Sequence, residues 1–141
     1  TLLDASPTGA IEFFHGYTYS AIPVSMAAGL AMQNIIEKEN LIEKSKNMSP
    51  YFLDGLFSLK DIDGIQDIRG YGMMGGIDIK FDERPGKAGY ACFKKLFEAG
   101  LSLKATGDCL IVAPPFICEN KHIDEIIDKL RTGISNYFKS R

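Results

Sequence analysis

Between Met74 and Phe81, the apolar residues Ile77, Ile79 and Phe81 alternate with Gly76, Asp78 and Lys80. Alternation at a period of two describes a strand with one apolar face, and such a face has to be covered. The chain carries covers on both sides of this segment. Upstream, Pro23 stands where a first helical residue is often found and opens a helix to about Glu39. Within it Ala27, Leu30, Ala31, Asn34 and Ile35 recur at three- and four-residue spacing, while Ala28 and Gly29 keep one face small. Asn40 breaks the run. Helical spacing resumes from Leu41 to Leu59 through Ile42, Met48, Phe52 and Leu56, with Pro50 as an expected irregularity. Downstream, Tyr90 to Ala99 places Tyr90, Phe93, Leu96 and Phe97 at helical spacing and ends at Gly100. A last amphipathic helix carries Ile123, Ile126, Ile127, Leu130 and Ile134 and runs to about Phe138.

The remaining segments are short. Asp61-Ile62-Asp63-Gly64 is turn chemistry, Ile65 to Arg69 alternates before Gly70-Tyr71-Gly72, and Glu83 to Gly89 is a polar loop. Leu101 to Lys104 and Cys109 to Ala113 read as two strands joined by a turn at Ala105-Thr106-Gly107-Asp108, closed by Pro114-Pro115. The order is helix, helix, strand, strand, helix, hairpin, helix. It predicts an α+β fold with helices covering one face of a small antiparallel or mixed sheet.

At 141 residues with 45% apolar side chains the chain can build a real core. A net charge of −2 leaves no basic excess of the kind that neutralises nucleic acid. Apolar stretches such as Ala21 to Met32 are interrupted and too short for a membrane span. No secretion signal is visible, and the abrupt start at Thr1 is what an excised piece of a longer protein would show. Cys92, Cys109 and Cys118 lack metal-ligand spacing and read as free thiols in a reducing, cytoplasmic setting. No metal site is expected: Asp54, Asp61, Asp63, Asp67 and Asp78 are spread over turns and helix ends, where capping is their natural role.

Only His15 and His122 offer imidazoles, and no G-x-S-x-G accompanies either. His122 reads as a solvated surface residue. The glycines from Arg69 to Gly76 do not have dinucleotide-loop spacing, and a strand follows them. The segment from Phe13 to Pro23 is different. Gly16 permits a sharp approach, the Tyr17 amide and Thr18 hydroxyl can both donate to an anion, and a helix N-terminus lies next to them. The alternative is a turn whose Thr and Ser merely cap the helix.

His15-Gly16-Tyr17-Thr18-Tyr19-Ser20 resembles the H-G-[FY]-T-Y-S segment of class III aminotransferases, especially their ω-amino acid:pyruvate branch. The family's His before Pro is Ile22 here. The likeness continues through Asp67 to Asp78, read as a structural strand. It also takes in Lys104-Ala105-Thr106-Gly107-Asp108 with Pro114-Pro115-Phe116, which is similar to the family's R-x-x-G-D…P-P-[LF] signature. The resemblance implies the small C-terminal domain of a fold-type-I, pyridoxal 5'-phosphate-dependent transferase. Residues 1–22 would end the large cofactor domain, 23–60 would form connecting helices, and 61–141 the small domain.

By the same resemblance Tyr17 and Thr18 contact the cofactor phosphate of the neighbouring subunit in a homodimer. Lys104 stands where the family places an Arg that grips the substrate carboxylate. Lysine lacks the planar fork of arginine, so carboxylate binding is expected to be weaker or the substrate different. No lysine here matches the family's Schiff-base motif, so no catalytic residue is assigned, and the chain alone should neither hold the cofactor stably nor transaminate. The implied partners are a small amino donor and a keto acid acceptor. Transfer to pyruvate is the leading expectation. Diaminopelargonate, ornithine or 4-aminobutyrate types, or a non-catalytic α+β ligand-binding module, are the alternatives.

Overall fold

The computed structural model describes residues 17–80 and 84–140. His15, Gly16 and Phe81 fall outside the described residues. The chain divides into two units, Thr1–Ile35 and Ile36–Arg141.

In the first unit, a turn over residues 17–21 leads into helix α1 (Pro23–Lys38). Pro23 opens the helix as expected, because its missing N–H is one that a first turn leaves unbonded anyway. Asn40, with a left-handed φ of 51°, follows the end of α1, a conformation that Asn tolerates better than most residues.

The second unit takes in the end of α1 and then α2 (Leu41–Phe57), which runs through Pro50 and tightens into a 3₁₀ turn at Ser58–Asp61. Strands β1 (Ile65–Tyr71) and β2 (Met74–Ile79) form a hairpin around Gly72 and Met73. Helix α3 (Lys87–Glu98) follows, then the short strands β3 (Lys104–Thr106) and β4 (Cys109–Val112), and finally α4 (Asn120–Lys139). The strands lie in the order β1-β2-β4-β3 and every pairing is antiparallel. The sheet is therefore antiparallel rather than mixed.

Period two and period 3.6 meet in the core. Ile68, Ile77, Leu110 and Val112 present one face of the sheet, and Phe52, Leu56, Leu96, Ile123 and Leu130 come down on it from α2, α3 and α4. Each fully buried aliphatic or aromatic side chain of this kind contributes about 1.5–3 kcal/mol. Gly75 lets α2 settle on β2, since a Cβ there would run into the Leu56 side chain. Polar links fasten the helices at the rim. The Tyr51 hydroxyl donates to Asp124 Oδ1 at 2.6 Å, and Arg131 donates to both Asp61 carboxylate oxygens at 2.8 and 3.0 Å.

Several boundaries differ from the sequence reading: residues 101–103 lie outside any strand, and β1 runs on to Tyr71. Helix α3 starts at Lys87, inside what reads as a polar loop. β3 occupies Lys104–Thr106, so Ala105 and Thr106 pair with β4 and the turn shrinks to Gly107 and Asp108. The early start of α3 follows from the carboxylate of Asp108, described below.

Candidate functional site

The predicted contacts divide between the two units, Tyr17 and Thr18 in one and Lys104 in the other. Tyr17 and Thr18 lie in the turn before α1. The Ser20 amide donates to the Tyr17 carbonyl at 2.9 Å, and Ala21 has a φ of 60°. A left-handed alanine costs about 1 kcal/mol or more, and such strain gathers at ligand-holding turns. Thr18 is exposed, and its hydroxyl has no partner among the described residues. An exposed hydroxyl beside a helix start suits the oxygens of a phosphate, which accept hydrogen bonds and carry negative charge.

In the second unit the helices cover one face of the sheet and leave the other open. Cross-strand register places Lys104 (β3), Ile111 (β4), Gly76 (β2) and Arg69 (β1) in one row on the open face. A groove of about 570 Å³ runs along the Arg69 end of the row, lined by Arg69, Tyr71, Met74, Gly76 and Ile111, and stops short of Lys104. This face carries two cations with different commitments. Arg69 donates from Nη1 to Asp78 Oδ2 and, at 3.2 Å, to Asp67 Oδ2. Its Nη2 donates to Asp78 Oδ1 at 3.1 Å and lies 3.6 Å from Cys109 Sγ. The Arg69 hydrogen bonds hold the Asp78 carboxyl below its ordinary range. Burial, together with Asp78, pushes the Cys109 thiol up to about 11, so it is not a ready nucleophile. Lys104, by contrast, is exposed and makes no ion pair or hydrogen bond among the described residues. It is the cation on this row left for an outside anion.

Asp108 closes the turn beneath. Its carboxylate accepts from the Gly86 amide at 2.6 Å and the Gly89 amide at 2.9 Å, the first donors of α3. A carboxylate there meets unbonded N–H groups and the positive end of the helix dipole. This explains why α3 begins early. His122 is half-buried rather than solvated: its Nδ1 accepts from the Glu119 amide at 3.0 Å while the Glu119 side chain accepts from the His122 amide. That reciprocal box starts α4, an assignment of His122 to helix capping rather than catalysis. Among the described residues no group of three or more His, Cys, Asp or Glu side chains is arranged to hold a metal. No helix among them is long and apolar enough to cross a membrane.

A helix-backed antiparallel sheet with one open face defines a class of α+β domain, and the sequence narrows it further. Residues 2–134 match the aminotransferase class-III family. The chain belongs to that family. It is 36% identical over 136 residues to an omega-aminotransferase of Caulobacter vibrioides, covering 92% of this chain and 30% of that protein. Against a beta-alanine–pyruvate aminotransferase of Pseudomonas aeruginosa it is 38% identical over 132 residues, covering 93% and 30%. The solved adenosylmethionine-8-amino-7-oxononanoate aminotransferase of Methanocaldococcus jannaschii superposes with a TM-score of 0.78 at 33% identity, over 89% of this chain and 30% of that one. The chain thus spans about 30% of the length of these relatives.

Proposed function

We propose that the chain works as the C-terminal part of a pyridoxal 5'-phosphate-dependent aminotransferase that moves an amino group from an ω-amino acid or amine to pyruvate. The observation that carries this is the match over residues 2–134, together with the 36–38% identity to relatives named for ω-amino and β-alanine:pyruvate transfer. Residues 1–22 would complete a large cofactor domain, 23–60 would connect, and 61–141 would form the small domain. The holoenzyme is a cytoplasmic homodimer in this reading, and the free thiols of Cys92, Cys109 and Cys118 suit a reducing compartment.

The cofactor, when bound, supplies the electron sink that amino transfer needs. This chain's contribution is binding and orientation. Tyr17 and Thr18 donate to the cofactor phosphate across the dimer, and Lys104 holds the substrate carboxylate as a point charge at the edge of the open sheet face. The Lys104 ammonium, free among the described residues, and the committed state of Arg69 support that division of roles.

The test is a spectroscopic titration of the full-length aminotransferase with pyridoxal phosphate. Thr18→Ala should weaken cofactor binding about tenfold or more, in line with the ~1.5–3 kcal/mol of a hydrogen bond to a charged group, and Thr18→Ser should restore it. Unchanged affinity in Thr18→Ala would show that the turn only caps α1. The likeness to the adenosylmethionine-dependent enzyme favours a second reading. Measured rates with β-alanine and pyruvate against adenosylmethionine and amino-oxononanoate separate the two.

A further inference from the structure

The stretch Lys104-Ala105-Thr106-Gly107-Asp108 puts a cation and a carboxylate on one hairpin, at opposite ends and turned to opposite sides. Lys104 stands on the open face, in the row with Ile111. Asp108 reaches the other way, into the N-terminus of α3. β3 is three residues long, lies at the sheet edge and is paired only with β4, so its ladder alone is a weak hold. Leu103 and Ala105 pack against the core, and the turn restrains the strand further. Both carboxylate oxygens of Asp108 are used on α3, through the Gly86 and Gly89 amides. The Asp108 carbonyl accepts from the Ile79 amide at 3.0 Å, which ties the same residue to the end of β2. Gly89 packs so closely that a Cβ there would overlap the Gly107 carbonyl oxygen and come within 2.8 Å of the Asp108 Cα.

We infer that Asp108 is a positioning residue for substrate selection. By clasping the first turn of α3 it holds the β3–β4 hairpin in register, and so fixes where the Lys104 ammonium stands on the open face. The inference rests on the proposed role of Lys104 toward the substrate carboxylate. Asp108 touches no substrate in this scheme and acts only through the hairpin. Its loss therefore damages recognition of a donor that carries a carboxylate and spares a donor that lacks one.

The experiment compares kcat/KM for β-alanine with kcat/KM for propylamine, pyruvate being the acceptor, in the full-length aminotransferase. Asp108→Ala should lower the β-alanine to propylamine ratio about tenfold, within the range a displaced binding group costs. Asp108→Asn, which keeps one acceptor oxygen, should fall between wild type and Asp108→Ala, and it carries the comparison if Asp108→Ala does not fold. Lys104→Met should lower the same ratio, and Asp108→Ala added to Lys104→Met should lower it no further. Equal loss with both donors in the Asp108 variants overturns the inference and leaves Asp108 a stabilising cap. So does an unchanged ratio in Asp108→Ala and Asp108→Asn while Lys104→Met lowers it. An unchanged ratio in Lys104→Met instead removes the Lys104 reading, and the inference with it.

Discussion

Gly89 shows how one missing side chain decides local packing. It lies within the first turn of α3, where a glycine is normally a poor choice, costing roughly 1 kcal/mol against alanine. Here the order reverses, because the helix backbone meets the Gly107 carbonyl and the Asp108 Cα with no room for a methyl group. Gly89→Ala should therefore destabilise the fold by about 1–3 kcal/mol, read as a lowered urea midpoint. A raised midpoint would mean that the turn moves aside freely. In the sequence Gly89 belongs to a polar loop, since its partners at Gly107 and Asp108 are far away along the chain. Lys104 and Thr18 are the opposite case. Both stand out through their motifs, while the geometry adds that each is exposed and has its donor uncommitted among the described residues.

The sheet illustrates what is shared between elements. Arg69 on β1 reaches Asp78 on β2 and Cys109 on β4, partners 9 and 40 residues away, so one guanidinium spans three strands of the open face. Asp78 is held below its ordinary range chiefly by hydrogen bonds from Arg69. A depressed carboxylate contributes stability that is fully present above the unfolded value, near pH 4, and is lost as pH falls through the folded value. Urea midpoints measured at pH 5 and pH 3 should therefore drop for the wild-type chain and drop less for Asp78→Asn. An identical drop in both would assign the acid sensitivity to other carboxylates. The helices were readable because their apolar residues recur within the helix itself. Their starts were less so. α3 begins where the distant Asp108 supplies a cap, and α4 begins on a Glu119–His122 box whose imidazole member is an unusual choice at that position.

At the scale of the molecule, each unit leaves a surface uncovered among its described residues. Helix α1 buries none of its residues, with Val24 and Leu30 79% and 68% exposed, and the open sheet face leaves Tyr71 91% exposed. On the proposed function these surfaces would meet the large domain and the neighbouring subunit, which would also supply the cofactor-bonding lysine. The purified 141-residue chain should therefore form no alanine when incubated with β-alanine, pyruvate and pyridoxal phosphate, as followed by chromatography. Alanine formation would mean that the chain carries its own Schiff-base lysine. The sequence by itself determined the helix and strand order, the single apolar face of the strands and the family, because periodicity and motif spacing are local properties. Only the tertiary structure decided the all-antiparallel order β1-β2-β4-β3, the commitment of Arg69, the freedom of Lys104 among the described residues, and the clasp of Asp108 on α3. Each of these depends on groups that meet across space, and no spacing along the chain records which donor and acceptor will be within 3 Å of one another.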